Sequence, residues 1–417
     1  MDTLYINGGR ELYGAIDIVS AKNALLPILA GAIISGKRVV IRKVAMFLDV
    51  KYMLKILEDL GCDIKINDDY VYIDSEMASK FIVREEFTSK VRSSVFMLGP
   101  LLSRFKSAKV AYPGGCNIGN RPIDLHIKGL SALNVKIEEK HGYIYCDGRS
   151  MKAGEVHLDF PSVGATENIM MAAVSLKGVT TIYNAAREPE IIDLQNFLNS
   201  MGCRIRGAGS STITILGVSN FYDTDYTVIK DRIVAGTYMV AVSMCGGKVK
   251  LLDSKKEHNQ ALITKLKNCG ANIKESKSGL EITVKNRLKS IQALETQPYP
   301  GFPTDLQNQV LALQTISRGT SIIVENLYES RFKICNELSK MGANITIKDR
   351  TAVIKGVPKL YGASVTATDL RGGAALVLAG LSAEGYTTIS DIYHIDRGYL
   401  SIEEDFCKLG AEIKRLH

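Results

Sequence analysis

The chain has 417 residues, of which 46% are hydrophobic and 23% are charged, a composition ordinary for a globular protein. This length exceeds what one hydrophobic core usually supports, so at least two domains are expected. The formal net charge of +8 is not gathered into Lys/Arg runs, which favours small phosphorylated ligands and argues against a nucleic-acid partner.

Several classes of protein are disfavoured by what the sequence lacks. The first residues carry no basic segment before an apolar run, so no secretory signal peptide is expected. No apolar run approaches about 18 residues, so we expect no membrane insertion. The eight cysteines are scattered, without CxxC pairs or regular His/Cys spacing. We therefore expect no metal, no cofactor and no disulfides, and a protein of the reducing cytoplasm. The oligomeric state is left open.

The first predicted elements are short strands at residues 4–8 and 12–15. Their sequences parallel residues 353–356 and 360–363, which close a repeated segment in the C-terminal half. The last such segment has no closing strands of its own. We therefore infer that residues 1–20 complete the C-terminal domain. The predicted domains are residues 21–229 and residues 1–20 plus 230–417.

From residue 21 onward, one pattern occurs six times at intervals of about 70 residues. It consists of an amphipathic helix, a marker residue and a short alternating strand. Glycine suits the marker position because the chain turns left-handed after a helix, and asparagine best tolerates the same conformation. The six markers are Gly61, Asn134, Gly202, Gly270, Gly342 and Gly410. Three repeats are expected in each domain.

Each repeat also contains a second helix that is apolar on nearly all sides. Examples are NALLPILAGAIISG after Lys22 and GGAALVLAGLSAEG after Arg371. Such helices are expected to be buried rather than amphipathic surface helices. Each is followed by a β-branched strand, such as residues 37–41. The predicted fold class is therefore mixed α/β with one deeply buried helix per repeat.

The segment PGGCNIGNR around Cys116 contains three glycines within six residues. Neither a helix nor a strand interior tolerates this spacing, so the segment is predicted to be a surface loop that presents one thiol. Arg121 lies five residues further on and could favour the thiolate or bind an anion. The alternative is an inert cysteine in a turn. The other seven cysteines are interpreted as structural.

Polar residues stand just before each buried helix, at equivalent places in the repeats. If three repeats surround a pseudo-threefold axis, these helix starts emerge on one face, where free N–H groups and positive dipole ends attract phosphate and carboxylate. Asp305 has an alternative role as the cap of the following helix. The residues are Lys22-Asn23, Arg92-Ser93, Ser162 with Gly164, Asp231-Arg232, Asp305 and Arg371.

Four segments carry a resemblance to a known family: SAKNALLPIL, PGGCNIGNRPIDLHI, GFPTDLQ and YHIDRGY. With the sixfold repeat, they resemble the UDP-N-acetylglucosamine enolpyruvyl transferases over essentially the full length. The resemblance implies a two-domain inside-out α/β barrel, with helices inside, sheets outside and an active site in the interdomain cleft. It implies transfer of the enolpyruvyl group of phosphoenolpyruvate to the sugar 3′-hydroxyl, with release of phosphate, as the first committed step of peptidoglycan precursor synthesis.

The same resemblance assigns roles to individual residues. Cys116 would protonate C3 of phosphoenolpyruvate and Asp305 would act as the base, with Lys22 and Arg397 as further catalytic groups. The residues matching the phosphoenolpyruvate site are Lys22, Arg92, Arg121, Arg371 and Arg397. Those matching the UDP-sugar site are Asn23, Arg92, Arg121, Pro122, Ile123, Asp124, Leu125, Ser162, Val163, Gly164, Asp305 and Leu327.

Four further residues have less definite roles. Glu190 and Asp369 recur near the family's cleft. Phe160 stands where some members carry a lysine near the diphosphate, which puts one polar contact in doubt. His126 either touches the cysteine loop or packs in the interior.

Two other functions are considered. An enolpyruvyl transferase acting on shikimate 3-phosphate would share the fold and the arginines, but its chemistry does not call for a loop thiol. A catalytically silent relative that binds the UDP-sugar need not retain both an acid and a base. The presence of Cys116 together with Asp305 therefore favours the UDP-sugar transferase.

Overall fold

The computed structural model describes residues 2–114 and 123–417. Three residues of the predicted site, Cys116, Arg121 and Pro122, lie outside the described residues. Helices and short strands alternate along the described chain, as the predicted mixed α/β class requires. No helix in these two ranges is long and apolar enough to cross a membrane.

The strands are short, with six residues or fewer in each. In chain order they are β1 Thr3–Asn7, β2 Leu12–Asp17, β3 Arg38–Arg42, β4 Asp63–Ile66, β5 Tyr70–Asp74, β6 Ile82–Val83, β7 Ser107–Ala111, β8 Lys136–Lys140, β9 Tyr143–Asp147, β10 Glu155–His157, β11 Val179–Tyr183, β12 Arg204–Arg206, β13 Thr212–Leu216, β14 Thr224–Thr227, β15 Gly247–Leu252, β16 Asn272–Ser276, β17 Gly279–Val284, β18 Ala293–Glu295, β19 Thr320–Val324, β20 Asn344–Lys348, β21 Thr351–Lys355, β22 Ser364–Thr366, β23 Tyr386–Ser390 and β24 Glu412–Leu416.

The helices are of two kinds, α-helices and short 3₁₀ segments. The α-helices are α1 Lys22–Gly31, α2 Leu48–Asp59, α3 Glu85–Thr88, α4 Leu98–Phe105, α5 Asp124–Ala132, α6 Val163–Ala173, α7 Pro189–Ser200, α8 Arg232–Cys245, α9 Gln260–Cys269, α10 Gln307–Ile316, α11 Ile334–Lys340, α12 Leu370–Ser382, α13 Tyr393–Asp396 and α14 Ile402–Lys408. The 3₁₀ segments are Arg92–Met97, Glu257–Asn259, Thr304–Leu306 and Arg331–Lys333.

Within the described residues the strands form six four-stranded sheets of one design. A short edge strand runs parallel to its neighbour, and the other two pairs are antiparallel. Along β3, buried Val39 and Ile41 alternate with less buried residues, as expected for a sheet that covers a core with one face. The strand orders are β14-β3-β5-β4, β6-β7-β9-β8, β10-β11-β13-β12, β2-β15-β17-β16, β18-β19-β21-β20 and β22-β23-β1-β24.

The marker residues adopt the backbone conformation that the sequence predicts. All six have a positive φ, which only glycine adopts without a steric cost and asparagine adopts more readily than most residues. The φ values are 102° for Gly61, 64° for Asn134, 98° for Gly202, 112° for Gly270, 92° for Gly342 and 93° for Gly410. The sixfold repeat is thus confirmed at the level of backbone geometry.

The chain divides into two compact units, which we call unit I (residues 20–114 and 123–229) and unit II (residues 2–19 and 230–417). In unit II, the buried helices α8, α10 and α12 pack against one another. In unit I, α1 contacts the 3₁₀ segment that leads into α4, and α4 contacts α6. Four successive residues of α12, at positions 376–379, are completely buried, so this helix has no solvent face. The inside-out arrangement, with helices inside and sheets outside, is confirmed.

The first two strands belong to unit II. β1 lies between β23 and β24, with Leu4 opposite Ile389 and Thr3 opposite Leu416. β2 pairs in parallel with β15. Residues from the start of the chain therefore complete two sheets whose other strands come from beyond residue 230.

One buried helix differs from its prediction. The segment SSVFMLGPLLSRF begins as the 3₁₀ segment Arg92–Met97 and becomes α-helical only at Leu98. Pro100 lies in the first turn of α4, where its missing N–H breaks no intrahelical hydrogen bond. The proline thus explains why the α-helix begins late.

Candidate active site

Three of the predicted basic residues lie at the first turns of buried helical segments. Lys22 is the first residue of α1, Arg92 is the first residue of its 3₁₀ segment, and Arg371 is the second residue of α12. Lys22 and Arg371 are buried, with exposures of 8% and 4%. A buried cation beside a helix N-terminus strengthens the preference of that place for an anion.

Three helix starts are capped by side chains. Capping satisfies backbone N–H groups that have no partner within the helix. Ser162 accepts a hydrogen bond from the backbone of Ala165 in α6. Asp231 and Asp369 accept from two backbone N–H groups each, at the starts of α8 and α12. These carboxylates therefore help to fix the helix ends.

Asp305 lies in the 3₁₀ segment Thr304–Leu306, directly before α10. Its Oδ1 accepts a hydrogen bond from Nη2 of Arg331 at 2.8 Å, and its Oδ2 accepts one from Nη2 of Arg371 at 2.9 Å. The two arginine side chains are only 3% and 5% exposed, whereas the Asp305 side chain is 26% exposed. Two buried cations thus hold a carboxylate that remains accessible to a ligand.

The alternative role of Asp305 as a helix cap is not supported. The N-cap residue of α10 is Leu306, and this helix start has no side-chain cap hydrogen bond. The cap position of the 3₁₀ segment, Pro303, also has none. The carboxylate of Asp305 is directed to the two arginines instead.

Glu325 connects the Asp305 segment to another predicted site residue, Leu327. Its Oε2 accepts a hydrogen bond from the Thr304 hydroxyl at 2.9 Å, and its Oε1 accepts one from the backbone of Leu327 at 2.8 Å. Glu325 itself is 1% exposed. The structure therefore brings Leu327, Asp305 and Arg371 into one hydrogen-bonded network of unit II.

The surroundings of Arg371 keep its guanidinium charged. Burial alone would lower the pKa of Arg371, but the charge of Asp305, with contributions from Tyr399 and Asp231, raises it overall. A permanently charged, buried guanidinium suits the recognition of carboxylate or phosphate.

Arg397 follows α13 and is half-buried. Arg397 lies near His394. Burial, and then the positive charge of Arg397, lower the pKa of His394. The neutral imidazole is favoured there, so the positive charge of this segment resides on Arg397.

In unit I, the buried Lys22 has a carboxylate partner. Its Nζ lies 3.4 Å from Oδ2 of Asp49, the second residue of α2, which is 4% exposed. Asn23, the next residue of α1, is half-buried, as is Arg92. Asp49 orients the ammonium group and was not singled out from the sequence.

Six of the predicted UDP-sugar residues of unit I lie on two helix starts that meet. Ile123 is the N-cap of α5 and is buried, Asp124 is exposed, and Leu125 is half-buried. Val163 and Gly164 begin α6, which packs on α5. A Cβ atom at Gly164 would lie 2.9 Å from Cε1 of His126, so only glycine fits this contact.

His126 packs in the interior of unit I and is 8% exposed. Its Nδ1 lies 2.8 Å from Nδ2 of Asn168. The Asn168 amide is oriented by its other contacts, since its Oδ1 accepts from the backbone of Gly99 and its Nδ2 donates to the carbonyl of Val95. His126 therefore accepts at Nδ1, and its proton resides on Nε2, towards Gly164.

Glu167 on α6 is the most unusual carboxyl group of unit I. It is completely buried, and neither of its oxygens has a hydrogen-bond partner among the described residues. Burial, then the nearby charges of Glu190 and Glu188, raise its pKa well above the ordinary value. The side chain is thus held in its neutral, protonated form.

We expect Glu167→Gln to stabilise the protein increasingly as the pH rises. Because the pKa of Glu167 is raised in the folded state, the folded protein retains a proton that the unfolded chain releases above about pH 4.3. The free energy of unfolding therefore falls as the pH rises, by up to about 1.4 kcal/mol per pH unit. Glutamine removes this cost. Urea unfolding at pH 4.5, 6 and 8 would measure it, with the exposed Glu139→Gln as the control. A difference from wild type that does not change with pH would contradict the neutral form of Glu167.

Arg331 was missed at the sequence level, although the repeat contains a signal for it. The residue eleven positions before each marker is buried in all six repeats. It is apolar in unit I (Val50, Ile123, Ile191) and polar in unit II (Asn259, Arg331, Tyr399). A buried polar side chain needs a hydrogen-bond partner. The change from apolar residues in unit I to polar residues in unit II is therefore the signal that could have identified Arg331.

Three of the other cysteines have buried thiols that remain protonated at neutral pH. Burial raises the pKa of Cys62, Cys146 and Cys203 to about 12. Cys407 is exposed. Among the described residues, no three His, Cys, Asp or Glu side chains form a group that could hold a metal ion.

Comparison with known sequences gives extensive similarity. The family model of EPSP synthase (3-phosphoshikimate 1-carboxyvinyltransferase) matches residues 6–406. A UDP-N-acetylglucosamine 1-carboxyvinyltransferase 2 of Caldanaerobacter subterraneus subsp. tengcongensis is 49% identical over 416 residues, with 100% of both chains covered. A UDP-N-acetylglucosamine 1-carboxyvinyltransferase 1 of Clostridium perfringens is 45% identical over 422 residues, again with 100% of both chains covered.

Comparison with solved structures shows the same fold. The enolpyruvyl transferase NikO of Streptomyces tendae superposes with a TM-score of 0.88 at 21% identity, covering 100% of this chain and 99% of that one. EPSP synthase of Acinetobacter baumannii gives a TM-score of 0.78 at 18% identity, with 100% of both chains covered. At such low identities the likeness concerns the fold alone.

Proposed function

Since the chain belongs to the enolpyruvyl transferase family and, within it, to the UDP-N-acetylglucosamine 1-carboxyvinyltransferases, we propose how its residues share the reaction of that family. The protein transfers the enolpyruvyl group of phosphoenolpyruvate to the 3′-hydroxyl of UDP-N-acetylglucosamine and releases phosphate. The observation that carries this assignment is the 49% identity over the full length of a relative with that name. The family model is named for the reaction with 3-phosphoshikimate. Relatives of 45–49% identity are instead named for the UDP-sugar, which favours that acceptor.

In this proposal, phosphoenolpyruvate is bound by five basic groups. Lys22, Arg92, Arg121, Arg371 and Arg397 neutralise its carboxylate and phosphate. The planar fork of arginine binds such groups through two hydrogen bonds, while Lys22 provides a compact charge at the start of α1. The burial of Lys22 and Arg371 supports this role, because charges away from water interact more strongly with a bound anion.

The first chemical step is an addition. The 3′-oxygen of the sugar bonds to C2 of phosphoenolpyruvate, its proton passes to Asp305, and C3 takes a proton from Cys116. The product is a tetrahedral intermediate that retains the phosphate. The partial exposure of Asp305 beside two fixed arginines supports its role as the base.

Arg371 links substrate binding to the base. Its guanidinium donates a hydrogen bond to Oδ2 of Asp305, so an anion bound by Arg371 lies close to the carboxylate that acts as the base.

The second step is an elimination. The C2–oxygen bond to phosphate breaks, and phosphate leaves with that electron pair and takes the proton that Asp305 holds. The Cys116 thiolate, or the Asp305 carboxylate once it has lost that proton, removes a proton from the C3 methyl group. The double bond between C2 and C3 is restored, and the sugar now carries it as an enol ether. Arg397 and Lys22 stabilise the charge that develops on the leaving phosphate.

The UDP-sugar is assigned to the starts of α5 and α6 and to Leu327. Arg121 to Leu125 line the uridine. Val163 and Gly164 at the start of α6 receive the diphosphate through their backbone N–H groups, and Ser162 does so through its hydroxyl, because its own N–H donates to the carbonyl of Phe160. Asn23 and Asp305 hold the sugar hydroxyl, and Leu327 contacts the acetamido group. Phe160 is 43% exposed two residues before Ser162, so it adds no charge to the diphosphate site.

The reaction belongs to peptidoglycan precursor synthesis and hence to cell-wall formation. We further propose that it takes place in the cytoplasm. All seven cysteines among the described residues are free thiols, as suits a reducing compartment.

The test is phosphate release on mixing the protein with phosphoenolpyruvate and UDP-N-acetylglucosamine. Release that requires the UDP-sugar is expected, with none when shikimate 3-phosphate replaces it. Release with shikimate 3-phosphate alone would transfer the protein to the other acceptor, and no release with either acceptor would leave a binding protein.

A further inference from the structure

The three polar residues found eleven positions before the markers of unit II have a common geometric role. Each belongs to a repeat whose buried helix carries polar groups at its start. Asn259 donates its Nδ2 to the carbonyl of Arg232, the first residue of α8, at 2.9 Å. Arg331 bonds to Asp305, before α10. Tyr399 is their counterpart in the repeat of α12, whose second residue is Arg371.

The hydroxyl of Tyr399 has a fixed direction. It lies 2.8 Å from Oγ1 of Thr237 on α8, and Tyr399 is 3% exposed. The Thr237 hydroxyl donates its own hydrogen to the carbonyl of Ile233 at 2.9 Å, and it also accepts from Nε2 of Gln309 at 3.2 Å. Because the hydrogen of Thr237 is used, Tyr399 is the donor in the pair.

Tyr399 also fixes the segment that carries Arg397, two residues earlier in the chain. Its ring packs in the hydrophobic core of unit II, so the end of the segment after α13 cannot shift without breaking both the packing and the hydroxyl bond. The Tyr399 side chain therefore helps to hold one of the arginines assigned to phosphoenolpyruvate.

We propose that Tyr399 is a positioning residue for phosphoenolpyruvate binding: its hydroxyl, bonded to Thr237 on α8, anchors the segment that carries Arg397. This inference rests on the proposed function. It adds a residue that does not touch the substrate in the assignment above. The network Tyr399–Thr237–Gln309 then connects α8, α10 and the segment after α13 beneath the site.

The experiment compares Tyr399→Phe with Tyr238→Phe. Tyr238 is a matched control, because it is also buried in unit II and its hydroxyl donates one hydrogen bond, to Oδ2 of Asp405 at 2.7 Å. We expect Tyr399→Phe to lower kcat/KM for phosphoenolpyruvate by about fivefold, the scale of one lost intramolecular hydrogen bond. Binding of UDP-N-acetylglucosamine should change by less than about twofold. Tyr238→Phe should leave both parameters near wild type.

Variants at Thr237 provide an independent test. Thr237→Val removes the hydroxyl and should reproduce the loss for phosphoenolpyruvate, whereas Thr237→Ser retains it and should remain near wild type. The inference is overturned if Tyr399→Phe and Thr237→Val leave kcat/KM for phosphoenolpyruvate unchanged, if both substrates are affected alike, or if Tyr238→Phe has the same effect. A wild-type protein that releases no phosphate from the two substrates would overturn the proposed function itself.

Discussion

The Asp305→Asn variant is expected to lose about 10²–10⁴-fold in kcat, the usual contribution of a positioned proton-transfer group. Asparagine has nearly the same shape and can still accept a hydrogen bond from one of the two arginines at its single oxygen, but it cannot take the proton of the sugar hydroxyl. Binding of UDP-N-acetylglucosamine, measured by titration, should weaken far less than kcat falls. This separation distinguishes a base from a residue that only holds the substrate.

The control for Asp305→Asn is Asp405→Asn, which alters another carboxylate of unit II that accepts a side-chain hydrogen bond. It should lower stability without a comparable loss of kcat. If Asp305→Asn retained kcat within about tenfold of wild type, the base would have to be another group. Asp305 would then serve only to hold Arg331 and Arg371 in place.

Replacing Cys116 with alanine is the second change with a large expected effect. Protonation of carbon at C3 needs a positioned acid, so kcat should fall by about 10²–10⁴-fold. A free thiol titrates near about 8.5, and only the protonated form can act as the acid, so wild-type activity should decline as the pH rises through the thiol's range. The residual activity of the variant should lack this decline.

Cys407→Ala is the matched control for Cys116→Ala, because Cys407 is exposed. It should retain wild-type kcat and the same pH profile. A thiol-alkylating reagent should inactivate wild type and the Cys407 variant alike, and bound UDP-sugar should slow that inactivation. Full activity of Cys116→Ala at pH 7 would contradict the assignment of this thiol as the acid.

Features that repeat along the chain could be predicted from the sequence. The markers, including Asn134, were identified because the end of a helix imposes the same left-handed conformation in every repeat. The buried helices were recognised because their residues are apolar on all sides, as in α12. The late start of α4 was missed, although Pro100 is visible in the sequence, since a proline is compatible with several positions in a first turn.

Pairings between repeats could not be predicted in the same way. Arg371 and Asp305 were each singled out, but the sequence does not state that they bond across 66 residues. Lys22 and Asp49 are 27 residues apart and lie on different helices. Such contacts depend on how the helices pack. The local sequence of Asp305 is equally typical of a cap, and only the positions of the two arginines decide against it.

The place of β1 in its sheet has a consequence for synthesis on the ribosome. Residues 3–7 are made before any residue of unit I, whereas both of their partner strands, β23 and β24, are made after all of it. Unit I can therefore fold during translation from residues that are nearly continuous in sequence. During the translation of more than 370 further residues, β1 therefore has neither of its partner strands, and its backbone is unpaired. Nascent chains of this protein should thus expose the unpaired backbone of β1, to which chaperones can bind until β23 and β24 are made and the sheet is complete.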